Sequence, residues 1–463
     1  MIGENRILLA DSYKVTHWLQ YPPGTERVYS YFESRGGRFD ETVFFGLQYV
    51  LDRYLAGRVI EPRHIDEAAD LLARHFGNDV LFHRRGWQHI VDRHGGRLPV
   101  AIRAVPEGSV VPVGNVLFTV ENTDPECFWL TSYLETLLVQ AWYGCTVATV
   151  SREMKRLIGS YLVETGDPSS VESKLQDFGF RGASSVESAA IGGAAHLVNF
   201  RGTDNLAGLL LARAVYGADM PGVSIPAAEH STQTAWGREA EEAGFAHMLS
   251  TFPTGLVAVV SDSWDVRNAC RHLWGDRLRD RVLERKGTLV VRPDSGTPHR
   301  MVLELLEILG ERFGTTRNDK GYKILPPQIA MIQGDGIDLE ETERILSTLR
   351  EHGWSADNLA FGMGGALLQR IDRDTQSFAF KCSQVVVGGE VRDVSKSPLT
   401  DPAKASKAGR LKLVAAGGGL RTVRDSEPGE DLLVDVFRDG EIVRRAVWDD
   451  VRERASLPEL APS

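Results

Sequence analysis

Four apolar, β-rich runs in the middle of the chain each stop at small or polar residues, and this recurrence constrains the fold more than any other feature. The runs are 256–260 before Ser261-Asp-Ser, 288–291 before Arg292-Pro-Asp-Ser-Gly, 329–332 before Gln333-Gly-Asp-Gly, and 358–361 before Gly362-Met-Gly-Gly. Between them lie stretches of helical period: 301–313 carries Met301, Leu305 and Ile308 on one face, and 338–350 carries Leu339, Thr342, Ile345 and Leu349. Asp338 and Glu341 have the spacing of a capping box, which starts the second helix just after the Gln-Gly-Asp-Gly turn. Buried strands alternating with helices every 30 to 40 residues or so require right-handed parallel crossovers, in an open doubly wound sheet or a closed β/α barrel. In both architectures ligands bind at the carboxyl ends of the strands.

The flanks read as α+β. Short strands are expected at 27–32, 100–105 and 116–120, and again at 432–437 and 442–447, joined across Arg438-Asp-Gly-Glu, where Asp-Gly is a hairpin signal. The two flanks should pack together, giving an α+β domain from residues 1–165 plus 382–463 and a β/α domain from 166–381. At 463 residues the chain is long enough for a sizeable core. No repeat or low-complexity tract divides it, and no run approaches the roughly 18 apolar residues of a membrane span. With 53 Lys+Arg against 63 Asp+Glu the net charge is −10, which disfavours nucleic acid or an anionic membrane as partner, so an anionic ligand must meet local basic clusters. Cys127, Cys145, Cys270 and Cys382 are scattered without CxxC or Cys/His spacing, which argues against disulfides and a structural zinc site and fits a reducing cytoplasm. The N-terminal stretch does not read as a signal peptide.

The strand ends gather Asp262, Asp265, Arg292, Asp294, Asp335 and several glycines at one expected rim, a layout suited to a phosphorylated sugar. Carboxylates hold ribose hydroxyls or hydrated magnesium, Arg forks a phosphate, and glycine lets backbone N–H groups approach. Singly, each Asp or Gly reads equally as a turn or helix cap. Gly362-Met-Gly-Gly before a helical stretch is a weak phosphate signal, and neither a P-loop nor a complete GxGxxG is present. Lys381, Lys396, Lys404, Lys407 and Arg410 form either a solvated charged face or a polyphosphate subsite; spacing alone leaves both open.

Longer motifs carry a resemblance. Asp11-Ser-Tyr-Lys-Val-Thr-His, Asn122-Thr-Asp-Pro-Glu-Cys, Asp177-Phe-Gly-Phe-Arg-Gly, Pro226-Ala-Ala-Glu-His-Ser, Ser261-Asp-Ser, Arg292-Pro-Asp-Ser-Gly, Gln333-Gly-Asp-Gly and Phe361-Gly-Met-Gly-Gly occur in the order found in the nicotinamide phosphoribosyltransferase family. The chain resembles that family along nearly its whole length. The resemblance implies the irregular β/α barrel of the type II phosphoribosyltransferases joined to an α+β domain, with active sites shared across a homodimer. It implies nicotinamide and 5-phosphoribosyl-1-pyrophosphate as substrates, nicotinamide mononucleotide and pyrophosphate as products, Mg2+ as cofactor and ATP as co-substrate through a phosphorylated histidine.

By the same resemblance, Phe178 and the partner subunit's Tyr13 sandwich the pyridine ring, and Asp204 accepts from the carboxamide. Arg181 meets the ligand's polar groups and the 5-phosphate, while Arg292 with Asp294 holds ribose and ring amide. Gly334, Asp335, Gly364 and Gly365 cradle ribose and phosphate, and Ser224, Ser261 and Asp265 join the substrate-binding set. Arg35, Arg373, Lys381, Lys396 and Lys404 bind polyphosphate in the neighbouring site. His230 is the phosphorylated residue, with Glu229 or Asp262 to orient it; His230, Asp262, Arg292 and Asp294 form the catalytic group, and no magnesium ligand is assigned. Gln176, Ala330 and Ala379 depart from the family pattern, which carries His, Arg and Ser there. Two rival readings remain at this stage: a nicotinate phosphoribosyltransferase, which an ionised Asp204 would disfavour by charge repulsion, and a non-catalytic binding protein on the same scaffold.

Overall fold

The computed structural model describes residues 4–400 and 405–457. They fall into two compact units, one of residues 4–149, 214–217 and 372–455, the other of 150–213, 218–371 and 456–457. The sequence placed these divisions at 165 and 381. The first falls instead inside the continuous helix Ala141–Thr165, which has no composition break at its middle. The second precedes the strand Phe378–Val387, because that strand pairs with Thr25–Ser34 from Ser34 opposite Phe378 to Thr25 opposite Val387.

The second unit is built on six parallel strands in the order Gly202–Thr203, Leu175–Asp177, Leu359–Met363, Ile329–Gln333, Lys286–Arg292, Thr254–Val260. The extended segment 223–228 joins the two edges. Val223 bridges to Gly202, while Ala258 N–H donates to Pro226 O and Ala228 N–H to Ala258 O, both at 2.9 Å. The sheet is thereby closed as an irregular barrel. Inside it, Ala258, Val290 and Ile332 form a small apolar cluster against which Phe178, Ile225 and Ala360 pack. Alternate residues such as Val257, Val259, Leu289, Val291 and Met331 are buried on the other face.

All four expected strands are present. The helix Pro298–Phe313 buries Val302, Leu305, Leu306, Ile308 and Leu309, and Leu339–Glu351 starts at Asp338, whose side chain accepts from Glu341 N–H at 2.9 Å. The reciprocal half of the expected capping box is not made, since the Glu341 carboxylate accepts from His299 N–H and meets its Nδ1.

The first unit carries a seven-stranded antiparallel sheet in the order Glu390–Asp393, Phe378–Val387, Thr25–Ser34, Val116–Asn122, Val100–Ala104, Val434–Arg438, Glu441–Ile442. Phe32 stacks between Phe118 and Phe378, at centroid distances of 4.7 and 5.2 Å. The Asp439-Gly440 turn takes φ of +50° and +84°, the double positive φ of a hairpin turn, but the returning strand ends at Ile442 rather than 447. All four cysteines are unpaired. Among the described residues no helix is long and apolar enough to cross a membrane.

Candidate active site

The strand Leu175–Asp177 delivers Phe178 to the carboxyl end of the barrel. Asp177 itself is buried and anchors the turn: its Oδ1 accepts from Gly179 N–H at 2.7 Å and its Oδ2 from Asn205 Nδ2 at 2.9 Å. Burial raises its pKa to about 6 despite these two donors, and the charge of Asp204 adds to the rise. Asp177 O also accepts from Asp204 N–H at 3.1 Å, so one residue places both Phe178 and Asp204.

The Phe178 ring lies against Gly362, inside the strand Leu359–Met363, and Gly334, just beyond Ile329–Gln333. A Cβ on Gly362 would stand 2.1 Å from its Cε2, and one on Gly334 would stand 3.2 Å away. Only glycine leaves room for the ring at Gly362. The Arg292 guanidinium sits 5.4 Å from the ring centroid. Phe178, Asp204, Ser224, Ile225 and Arg292 line a cavity of about 630 Å³ within the barrel, inside the usual range for small-molecule sites. Ser224 Oγ donates to Asp204 Oδ1. Gln176 and Ala330 line the same cavity, whereas Ala379 is buried in the strand Phe378–Val387.

A second cleft, lined by Arg181, Glu229, His230, Ser231, Arg292 and Asp294, meets the first at Arg292. His230 opens the short helix His230–Thr234. Its Nε2 lies 2.9 Å from Oδ1 of Asp262 and its Nδ1 lies 3.8 Å from Oδ2 of Asp294. The imidazole is 45% exposed and the Asp262 side chain only 4%. Asp262 is fixed through Oδ2, which accepts from Asp294 N–H at 3.1 Å and from Ser295 Oγ at 2.6 Å. Of the two acceptors expected for His230, Asp262 is the one in place, because the Glu229 carboxylate caps the helix and accepts from Ser231. In the neutral ring this arrangement keeps the proton on Nε2 and leaves the Nδ1 lone pair toward the cleft. Arg292 Nη2 donates to Asp294 Oδ1 at 2.9 Å. Among the described residues, the buried Arg292 Nε and Gln333 Oε1 have no hydrogen-bond partner, polar capacity that a ligand at the rim would satisfy.

Gly334 and Gly364 sit beside Phe178, Gly365 begins a short helix, and Asp335 is exposed at the strand end. Two expected contacts take other partners. The buried Ser261 hydroxyl donates to Val259 O and accepts from Trp274 Nε1, so it faces the core. The Asp265 carboxylate caps a helix by accepting from Arg267 and Asn268 N–H, in a separate cleft. Magnesium takes oxygen ligands, and both Asp262 oxygens are already engaged. The Asp294 carboxylate in the His230 cleft and the exposed Asp335 carboxylate are oxygen donors of the kind it takes.

In the first unit Tyr13 is 58% exposed on the turn Ser12–Leu19. Lys381 has its pKa lowered, first by burial and then by the charges of Arg35, Lys396 and Arg373, with Glu135 opposing. Lys381 thus feels the charges of three of the other cations that the resemblance assigns to polyphosphate. Lys404 lies outside the described residues. Lys407 and Arg410 are instead paired internally, with Glu33 and Glu121. Residues the sequence did not single out are Asp177, Asn205 and Ser295, whose positioning roles depend on tertiary partners.

The model for the nicotinate phosphoribosyltransferase (NAPRTase) family matches residues 173–441, and that for the nicotinamide phosphoribosyltransferase N-terminal domain matches residues 5–102. The chain is similar to the nicotinamide phosphoribosyltransferase of Xanthomonas campestris pv. campestris, at 50% identity over 99% of each chain. It is similar to that of Acinetobacter baylyi at 34% identity over 97% of each. Among solved structures it resembles the nicotinate-nucleotide pyrophosphorylase of Pyrococcus furiosus, with TM-score 0.61 and 14% identity over 98% of this chain and 95% of that one. It also resembles human nicotinic acid phosphoribosyltransferase, with TM-score 0.55 and 17% identity over 97% and 93%. At these identities the structural likeness is one of fold.

Proposed function

This chain belongs to the nicotinamide phosphoribosyltransferase family, and on that premise we propose that it transfers the phosphoribosyl group of 5-phosphoribosyl-1-pyrophosphate to nicotinamide, giving nicotinamide mononucleotide and pyrophosphate in NAD salvage. The observation that carries this reading is the pairing of Phe178 with Asp204 at one cavity that shares Arg292 with the His230 cleft. A flat, weakly polar ring gains burial and stacking against Phe178, and the Asp204 carboxylate accepts from the carboxamide N–H.

The pyridine nitrogen is a neutral nucleophile and needs no general base. As it bonds to C1 of the sugar, the C1–O bond to pyrophosphate breaks, the ribose passes through a cationic state and the leaving group gains charge. Asp294 suits the cationic sugar, while Arg181 and Arg292 favour the departing phosphates. Magnesium, held by Asp294 and Asp335, would neutralise pyrophosphate charge when bound. ATP acts as co-substrate by phosphorylating His230: Nδ1 attacks the γ-phosphorus, the bond to ADP breaks, and Asp262 holds the Nε2 proton. The phosphohistidine then assists donor binding. Tyr13, Arg35, Arg373, Lys381 and Lys396 complete the site of a second copy in a homodimer, and the four free cysteines suit a cytoplasmic protein.

The nicotinate reading is the nearest alternative, because the family model matching 173–441 is that of nicotinate enzymes. Asp204 separates the two, since its charge repels a ring carboxylate. The test is a product assay with nicotinamide, 5-phosphoribosyl-1-pyrophosphate and Mg2+, with and without ATP. Equimolar nicotinamide mononucleotide and pyrophosphate are expected; binding of either substrate without pyrophosphate release would make the chain a non-catalytic scaffold.

A further inference from the structure

We propose that His89, His94, Asp124 and Cys127 form a structural site for a tetrahedral divalent metal ion, zinc by the character of its ligands. Their donor atoms all lie within 4.8 Å of one another, outside every residue assigned to the transfer reaction. The sequence argued against such a site because no Cys pairs with a Cys or His at zinc spacing. The fold supplies the pairing instead. His89 lies at the middle and His94 at the end of the helix Arg84–His94, and Asp124 caps the turn Pro125–Cys127 that Cys127 ends. H-x4-H and D-x2-C reproduce the two-pair spacing of closed zinc sites, with an aspartate in the place of one cysteine.

The donors converge rather than merely neighbour one another. His89 Nε2 and His94 Nε2 approach the same oxygen, Oδ2 of Asp124, at 2.8 and 2.6 Å. Around a tetrahedral zinc with bonds of about 2.0–2.3 Å, ligand atoms stand roughly 3.3–3.8 Å apart. Replacing the shared protons by the ion therefore asks for shifts on the order of 1 Å. Asp124 is already held in orientation: its Oδ1 accepts from Glu126 N–H, and its carbonyl from Asn122 Nδ2 and Cys127 N–H. Asn122 in turn donates to Glu26 O and accepts from Val28 N–H, which ties the ligand loop to a central strand. Outer partners of this kind are what a rigid metal site requires.

The chemistry favours zinc over magnesium or calcium, since two imidazoles and a thiolate are poor ligands for hard cations. Binding displaces the thiol proton of Cys127, and two neutral imidazoles with one carboxylate and one thiolate balance a doubly charged ion. Both imidazoles are 25% exposed, which gives the ion a way in, while Cys127 is fully buried. Four protein donors fill the tetrahedron, so the role is structural: the ion would clamp the helix Arg84–His94 to the turn before Trp129, where Trp87 already packs on Trp129 at 4.7 Å.

The test is a Co2+ titration of the chelator-treated full-length chain. We expect saturation at one ion per chain, with tetrahedral visible bands and a thiolate-to-cobalt charge-transfer band, both reversed by Zn2+. His94→Ala should lose them with an affinity drop beyond the roughly 10–100-fold of outer-shell changes. Cys127→Ser should lose the charge-transfer band. If Cys127→Ser does not fold, the half-surface variants His89→Ala and His94→Ala carry the test, with circular dichroism showing a folded chain. A featureless or weak octahedral spectrum, as rim carboxylates would give, overturns the site. So does a charge-transfer band that persists in both histidine variants, and the four residues are then a hydrogen-bonded cluster only.

Discussion

Replacing Gly362 by Ala adds one methyl group directly under the Phe178 ring. The new Cβ would stand 2.1 Å from Cε2, whereas ordinary contact begins near 3.4 Å, so the ring must retreat by about 3.4 − 2.1 = 1.3 Å. The backbone at Gly362 is not in the left-handed region, so the whole effect runs through Phe178. Overpacking of this kind costs about 1–3 kcal/mol of stability. The displaced ring also forfeits its stacking on the pyridine, about 0.5–1.5 kcal/mol, or roughly 2- to 13-fold in nicotinamide KM. Steady-state kinetics with nicotinamide varied, alongside chemical denaturation, read both quantities. The double variant Phe178→Ala, Gly362→Ala isolates the cause. With the ring gone, the added methyl group should change stability by less than about 0.5 kcal/mol relative to Phe178→Ala alone. Fully additive costs in the double variant, or an unchanged KM in Gly362→Ala, would refute the role given to Phe178.

Asp204→Asn should weaken nicotinamide use and relax the rejection of nicotinate, read as a shift in the ratio of the two kcat/KM values; equal loss on both would make Asp204 structural. His230→Ala should abolish ATP hydrolysis and the phosphoenzyme while leaving slow, ATP-independent synthesis, with the loss mainly in donor affinity; intact-mass analysis after ATP treatment checks this. Asp177 binds its proton more tightly in the folded state, because burial raises its pKa from 3.8 to about 6, so its contribution to stability falls as pH rises through that window. Denaturation of Asp177→Asn against the unaltered chain at pH 4 and pH 7 should show the variant gaining about 2 kcal/mol in relative stability, and a pH-independent difference would refute the assignment. Mixing a Tyr13→Ala, Arg35→Ala chain with an Asp294→Ala chain, each inactive, should restore one working site per heterodimer; verified heterodimers without activity would rule out shared sites.

The barrel was legible where its strands are long. Runs such as 256–260 and 288–291 are valine-rich stretches with a polar stop, and they form the strands Thr254–Val260 and Lys286–Arg292. Leu175–Asp177 and Gly202–Thr203 are too short to show any periodicity, and the closing segment 223–228 is held by single bridges, so the sequence pattern missed all three. The Asp-Gly hairpin was visible because two positive φ angles demand those residues. Side-chain allegiance was less legible. Asp262 and Asp265 look alike at one strand end, yet one orients His230 and the other caps a helix. Ser261 reads as a rim hydroxyl, but Trp274, thirteen residues later, draws it into the core. The convergence of His89 and His94 on Asp124 joins segments about thirty residues apart, a proximity no local pattern encodes.

A competition assay tests the central claim most directly. The chain is given equal concentrations of nicotinamide and nicotinate in one vessel with limiting 5-phosphoribosyl-1-pyrophosphate and Mg2+, and the two mononucleotides are quantified. An ionised Asp204 that hydrogen-bonds the carboxamide and repels the carboxylate is worth about 1–3 kcal/mol, which predicts nicotinamide mononucleotide in roughly 5- to 160-fold excess. Equal amounts of the two products, or an excess of nicotinate mononucleotide, would contradict it.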